Sequence, residues 1–312
     1  MDLDDLWSYM KTHADPGWEA LPTFLDAAVP RALEMLRARK MRITFFVTGT
    51  DASLERNREM LEEIVREKHE LGNHSLSHDL WFDKYSDSQV EDEIAAAEQY
   101  IERICGRKPA GFRAPGYSLT RRVVKTLEKR GYLYDSSTLP TSIALLARTY
   151  YFSTGKFSRK DREQRSTFCG SIFECMRPIS PYRWSVGNGL LELPITTFPL
   201  FRTPIHPSYL YALFIVSKKM ALRYLSTALC LLKALRIQPV IILHPPDFLG
   251  ADDTCDLMYF PAMNRLWKEK KDFMEHILDL LQSSFECVPL HTIAEEIGSR
   301  ETALLSTRSL PL

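Results

Sequence analysis

Residues 42–49, RITFFVTG, hold an apolar, β-rich run (Ile43, Phe45, Phe46 and Val47) that ends on a glycine turn signal, which reads as a buried strand. Helical patterns flank it. VPRALEMLRARKM (29–41) has Pro30 near its first turn, and NREMLEEIVREKHELGN (57–73) repeats Met60, Ile64 and Val65 until it breaks at Gly72. The clearest helix is SDSQVEDEIAAAEQYIERICG, where Ser86 and Gln89 have capping-box spacing, Val90, Ile94, Ala97, Ile101 and Ile104 share a face, and Gly106 with Pro109 ends the pattern. AGFRAPGYS then reads as a short strand and tight turn, 120–130 as a helix, PVIILHPPDF (239–248) as a fully apolar strand ending in a histidine, and FECVPLH (285–291) as a final strand. Strands of this kind alternating with helices imply a parallel sheet or barrel covered by helices. In such folds chemistry collects where strands end.

Composition sets the boundaries. The 312 residues are 45% hydrophobic and 26% charged, which suits a globular protein with a sizeable core. Forty basic and forty acidic residues cancel, so the electrostatic affinity that nucleic-acid binding needs is missing and no nucleic-acid partner is expected. Cys105, Cys169, Cys175, Cys230, Cys255 and Cys287 show no Cys-x-x-Cys spacing and read as reduced thiols of a cytoplasmic protein. The first residues lack the basic and apolar regions of a secretory leader, and no run of 18 apolar residues predicts a membrane span. No repeat or linker divides the chain, so 1–312 reads as a single domain, with 141–238 an insertion holding an apolar helix and 297–312 a disordered tail.

Four features carry possible chemistry. HSLSH places His74 and His78 four apart, DLDD places Asp2, Asp4 and Asp5 at the start, Arg113 sits in a Pro-Gly turn, and His244 ends an apolar strand. Each has a bland reading: a solvated turn, a frayed acidic end, a surface charge, a satisfied structural histidine. Together they match the needs of a hydrolytic site with two imidazoles, a carboxylate and an open position for water.

In that order the motifs resemble the polysaccharide deacetylase (NodB homology) family, carbohydrate esterase family 4. MDLDDLW resembles the first motif in its Asp-x-(Asp/Glu)-Asp-Trp variant, RITFFVTGTDA and HELGNHSLSH the second strand and histidine motif, GFRAPGYS the Arg-x-Pro motif, YLYDSST the fourth region and ILHPPDF the last. The likeness is dense from residue 1 to about 140, returns near LLELPITTFP and runs again from 239 to 295. It implies a distorted (β/α) barrel with fewer than eight strands, a divalent metal and removal of an acetyl group from an N-acetylated sugar. Zn²⁺ is expected, with Co²⁺, Ni²⁺ or Mn²⁺ as alternatives.

Carried over residue by residue, the resemblance makes Asp5, His74 and His78 the metal ligands and Asp4 the general base. Arg113 pairs with the base, and backbone N–H groups around Gly116 and Tyr117 bind the oxyanion. His244 protonates the leaving amine, with Asp135 or Asp247 holding it charged. The chain departs from the usual pattern in three places. Gly116-Tyr117 reverses the common Tyr-Gly order; Asp2 is an alternative base, with Asp4 then the ligand; and no apolar strand precedes Asp2, which raises the expectation of an upstream start and weak metal binding by the chain as given.

Residues 207–239 form a long apolar stretch with Lys219, Arg223, Ser226 and Lys233 in a narrow polar stripe. It reads either as a core helix or as an interfacial helix holding the enzyme at the inner face of a membrane. Two other readings keep the scaffold: hydrolysis of a non-sugar amide or formyl group, and a non-catalytic carbohydrate-binding relative.

Overall fold

A computed structural model describes residues 1–155, 157–164, 172–301 and 309–310. The chain opens with α1 (Leu6–His13) and α2 (Leu25–Ala38), then β1 (Thr44–Val47), α3 (Gly49–Ser53), α4 (Glu55–Arg66) and β2 (Glu70–Asn73). Next come α5 (Asp87–Cys105), β3 (Gly111–Phe112), α6 (Arg121–Lys129) and β4 (Tyr134–Asp135). The middle holds α7 (Ala144–Thr154), α8 (Arg159–Gln164), the hairpin β5 (Tyr182–Trp184) and β6 (Leu191–Glu192), α9 (Pro207–Val216) and α10 (Lys218–Ala234). α11 (Trp267–Ser284), α12 (Leu290–Glu301) and β7 (Ser309–Leu310) complete it.

Seven strands among the described residues form one sheet in the order β1-β2-β3-β4-β6-β5-β7. β1 to β4 and β6 run parallel, with Thr44 opposite Glu70 and Val47 opposite Asn73, while β5 is antiparallel to β6. Residues 1–3 lie along the free side of β1. The Phe46 N–H donates to the Met1 carbonyl (2.8 Å), and the Leu3 N–H donates to the Phe46 carbonyl (2.8 Å). On their other side the Asp2 N–H donates to the Leu243 carbonyl (2.9 Å), and the Thr196 N–H, just beyond β6, donates to the Val240 carbonyl (2.9 Å). These bonds carry the sheet round from β1 to β6, giving a distorted (β/α) barrel whose seam is made of bridges instead of regular strands. A main-chain group buried at that seam needs a partner, and residues 1–3 supply it.

All four residues of β1 are buried, as the apolar run requires. One apolar cluster beneath α2, α10 and α11 includes Leu25, Ala28, Leu225, Leu229, Phe273 and Ile277, and a second under α5 and α6 includes Val90, Ile94, Phe112, Val123 and Leu127. The Ser86–Gln89 capping box forms, and Gly106 closes α5 in a left-handed conformation.

Several sequence expectations are corrected. The helix expected through 57–73 stops at Arg66, because Glu70–Asn73 is drawn into the parallel ladder with β1. Residues 239–243 form no regular strand and make only isolated bonds to residues 2 and 196. The expected final strand at 285–291 instead leads into α12, whose first N–H groups donate to Thr44 Oγ1 (2.8 Å) and Glu70 Oε2 (3.1 Å). The 207–239 stretch is two helices broken at Ser217, which is extended and caps α10 by accepting the Met220 N–H. Its residues Leu210, Tyr211, Leu225 and Leu229 are buried, while Ile215, Val216 and Met220 stay exposed around the break. No helix among the described residues is long and apolar enough to cross a membrane. Cys105, Cys230, Cys255 and Cys287 are free thiols; Cys169 lies outside the described residues. Of the expected tail, 297–301 is helical and Ser309–Leu310 pairs with β5, and the rest lies outside the described residues.

Candidate active site

Bridged on both sides, residues 1–3 are an extended chain, in which alternate side chains point the same way. Asp2 and Asp4 therefore face the site together, and both are buried. Asp5 begins the next element. Its Oδ1 accepts the N–H of Leu6 (2.8 Å) and of Phe24 (3.0 Å), so it is the N-cap of α1 and anchors the loop before α2. Burial pushes the Asp5 carboxyl up to about 6 against those two bonds.

The loop after β2 carries the histidines. The Asn73 side chain donates to the Ile94 carbonyl (3.0 Å) and the Tyr132 hydroxyl (2.8 Å) while accepting the Ser75 N–H (2.8 Å). Glu93 accepts the N–H groups of Leu76 (3.0 Å) and Ser77 (2.9 Å) and the Ser77 hydroxyl (2.7 Å). Held in this way, His74 Nε2 and His78 Nε2 approach Asp4 Oδ1 at 3.2 and 3.1 Å. The three form the His/carboxylate group among the described residues able to hold a metal ion.

Their chemistry fits a divalent cation. His74 Nδ1 lies 2.7 Å from the Arg113 carbonyl, which only accepts, so Nδ1 carries a hydrogen and Nε2 is the nitrogen that a metal would take in place of a proton. Asp4 Oδ1 is buried and makes no hydrogen bond. Burial alone would raise the Asp4 carboxyl, but His78 and His74 outweigh it and hold it well below the usual carboxylate range. An anionic oxygen and imidazole nitrogens converging on one point are the donor set of a Zn²⁺-type ion.

Beside this group, Arg113 is buried and donates Nη1 to Asp2 Oδ1 (2.6 Å), Nε to the Ser136 carbonyl (2.8 Å) and Nη2 to the Ser136 hydroxyl (2.8 Å). Burial works against an ionised Asp2, yet Arg113, then His74 and His244, prevail and lower its pKa. His244 Nε2 stands 3.9 Å from Asp2 Oδ2. Asp247 accepts the His244 N–H through Oδ2 (2.8 Å). Asp135 is elsewhere: it accepts the Ser137 hydroxyl (2.6 Å) and pairs in the sheet with Glu192, and burial next to Glu192 drives its pKa well up.

The geometry thus gathers Asp4, not Asp5, with the histidines, and sets Asp2, not Asp4, against Arg113 and His244. It follows the alternative pattern of base and ligand, and it makes Asp247 instead of Asp135 the neighbour of His244. Gly116 and Tyr117 form a tight turn in which both have positive φ (57° and 62°). The Tyr117 N–H donates to the Ala114 carbonyl (3.2 Å), which engages one of the two expected oxyanion donors within the turn. Two residues close to His244 were not anticipated, Ser208 and His206. His206 is fully buried with neither ring nitrogen hydrogen-bonded, and burial, then the charges of His244 and Arg113, push it down to about 3. The period-two spacing of Asp2 and Asp4 was a usable signal; for Ser208 and His206 the sequence offers none.

Part of this chain resembles known proteins. The family model for polysaccharide deacetylase matches residues 15–134, a segment holding His74, His78, Arg113, Gly116 and Tyr117. A peptidoglycan-N-acetylglucosamine deacetylase of Bacillus cereus is 33% identical over 103 residues, covering 33% of this chain and 46% of that protein. A chitooligosaccharide deacetylase of Bradyrhizobium is 33% identical over 104 residues, with the same coverage of 33% and 46%. The matches thus span less than half the length of these relatives. A crystal structure from Mycobacterium smegmatis assigned as a polysaccharide deacetylase superposes over 100% of this chain and 92% of its own, at 18% identity and a TM-score of 0.63, which establishes a shared fold. The chain is thus similar to polysaccharide deacetylases over residues 15–134, within a fold that it shares along its whole length with the Mycobacterium smegmatis structure.

Proposed function

We propose that this protein is a divalent-metal-dependent deacetylase that hydrolyses the acetamide of an N-acetylated sugar, the substrate class for which its relatives are named. The observation that carries the reading is the convergence of Asp4, His74 and His78 beside the Asp2–Arg113 pair, with His244 3.9 Å from Asp2. Asp4, His74 and His78 would hold the metal, with Zn²⁺ the expected ion. When bound, such an ion supplies Lewis acidity toward the acyl oxygen and toward water.

The chain's own groups do the rest. Asp2 accepts a proton from the attacking water, and Arg113 keeps Asp2 ionised and aimed. The N–H of Gly116 is the proposed backbone donor to the oxyanion. His244 gives a proton to the amine, which is too basic to leave as an anion. Asp4 is thereby moved from base to ligand, and Asp5 from ligand to helix cap.

The test is to measure metal content and acetate release from N-acetylated chitooligosaccharides and peptidoglycan fragments, with and without a chelator. About one ion per chain and chelator-sensitive acetate release are expected. A fully metallated, folded chain that frees no acetate from either would defeat the reading.

A further inference from the structure

Helix α9 brings another group to the acid side of the site. Ser208 stands in its first turn, with Oγ 3.2 Å from His244 Nδ1 and 3.1 Å from Asp247 Oδ1. The other oxygen of Asp247 accepts the His244 backbone N–H at 2.8 Å. One turn along α9, Tyr211 donates its hydroxyl to the Asp247 carbonyl (2.9 Å), and Lys270 of α11 donates to the Pro246 carbonyl (2.6 Å). The turn that carries His244 is therefore clamped from two helices. Of these clamps, Ser208 is the one that reaches the imidazole.

A serine hydroxyl has one hydrogen to give, and a carboxylate can only accept. The Ser208 hydrogen accordingly goes to Asp247 Oδ1, which turns an Oγ lone pair toward His244 Nδ1. Nδ1 then carries a hydrogen, and Nε2 is the nitrogen left facing Asp2. We infer that Ser208 is a positioning residue: through the chain Asp247–Ser208–His244 it fixes the imidazole with Nδ1–H engaged and Nε2 presented to the reaction. The catalytic consequence rests on the reading of His244 as proton donor to the leaving amine; the hydrogen-bond chain does not. The inference also gives the 141–238 segment a task, because α9 belongs to it and supplies the residue that orients a histidine from a motif outside it.

The experiment uses the full chain labelled with ¹⁵N, and long-range ¹H–¹⁵N spectra in which the His244 ring is assigned with His244→Gln. In the wild type the neutral ring should be the Nδ1–H tautomer. Ser208→Ala should shift it toward Nε2–H or a mixture, and Ser208→Thr, which keeps the hydroxyl, should restore it. In acetate release, Ser208→Ala should lower kcat by about ten- to a hundredfold with KM within about twofold, a smaller loss than the ~10²–10⁴ of removing an acid outright. In a His244→Ala background the same substitution should do nothing more, since its effect runs through that ring. A His244 tautomer unchanged by Ser208→Ala, or an Nε2–H tautomer in the wild type, overturns the inference. So does an undiminished loss of kcat in the His244→Ala background, which would mark a purely structural role. If the wild type releases no acetate from any sugar, the deacetylase reading fails while the tautomer still decides the role of Ser208.

Discussion

Asp4 and Asp5 are neighbours in sequence and belong to different elements, and that difference decides what each substitution does. Asp4→Ala, like His74→Ala or His78→Ala, removes one of three converging donors and should abolish stoichiometric metal binding by calorimetric titration. Asp5→Ala should keep the metal while losing a helix cap, at about 0.5–2 kcal/mol of stability; loss of metal from it at unchanged fold would return Asp5 to the ligand set. Asp2→Asn should keep metal and lose roughly 10²–10⁴ in turnover. The histidine spacing was legible because four residues of loop bring two rings to one point. The choice among three aspartates was not, since it turned on where the extended chain gives way to α1. A second residue-scale expectation concerns Asp51, which accepts the Trp7 indole N–H (2.9 Å) and the Thr48 hydroxyl (2.7 Å). Burial, with Asp5 nearby, raises its pKa from 3.8 to about 7. A carboxyl raised in the fold keeps its proton there while the unfolded chain gives it up, so its contribution to stability falls as pH rises from about 4 to about 7 and is level above that. Asp51→Asn should remove that slope. Melting curves of both proteins across the interval will show it, and parallel curves would sink the assignment.

Among the elements, α5 does more than cover the sheet. Its Glu93 side chain and Ile94 carbonyl pin the 74–78 loop from behind, so a group outside the candidate metal site sets the aim of two histidines within it. Glu93→Ala should leave α5 folded, through its intact Ser86–Gln89 cap, while weakening metal affinity by about 10–100-fold, the usual effect of removing a group that orients a ligand. An affinity equal to wild type would show that Asn73 alone suffices to hold the loop. The capping box of α5 was readable because local chemistry fixes it. β2 was not readable, because ELGN has a charged residue, a glycine and an asparagine and looks like the ragged end of a helix. What makes it a strand is non-local: Glu70 is buried at 2% exposure, accepting from the Thr44 and Tyr134 hydroxyls and from the His291 N–H at the start of α12. The misread strand at 285–291 has the same origin, since its apolar residues precede a helix whose first N–H groups find partners on β1 and β2.

At the scale of the whole molecule, the alternating pattern gave the barrel but not its closure, which depends on three residues at the start of the chain lying between β1 and residues 240–243. The expectation of frayed, poorly held carboxylates is replaced by a short segment bonded on both sides, with Leu3 fully buried. Asp4 on this seam and His74 and His78 after β2 are about 70 positions apart in sequence, so an ion shared by them ties the seam to the body of the barrel. Such an ion binds the folded chain and not the unfolded one, and it stabilises by about 2.7 kcal/mol when free metal stands at a hundred times its dissociation constant. For a chain of this size that corresponds to several degrees in melting temperature. The wild type should therefore melt higher with metal than with chelator, whereas Asp4→Ala and His78→Ala should show no such difference. Leu3→Ala gives the converse test: it empties a buried site on the seam, which typically costs ~2–5 kcal/mol, and by loosening Asp2 and Asp4 it should weaken metal affinity although it removes no ligand. If Leu3→Ala lowers the melting temperature but leaves metal affinity unchanged, the seam supports the fold without organising the site, and the coupling argued from its bridges is wrong.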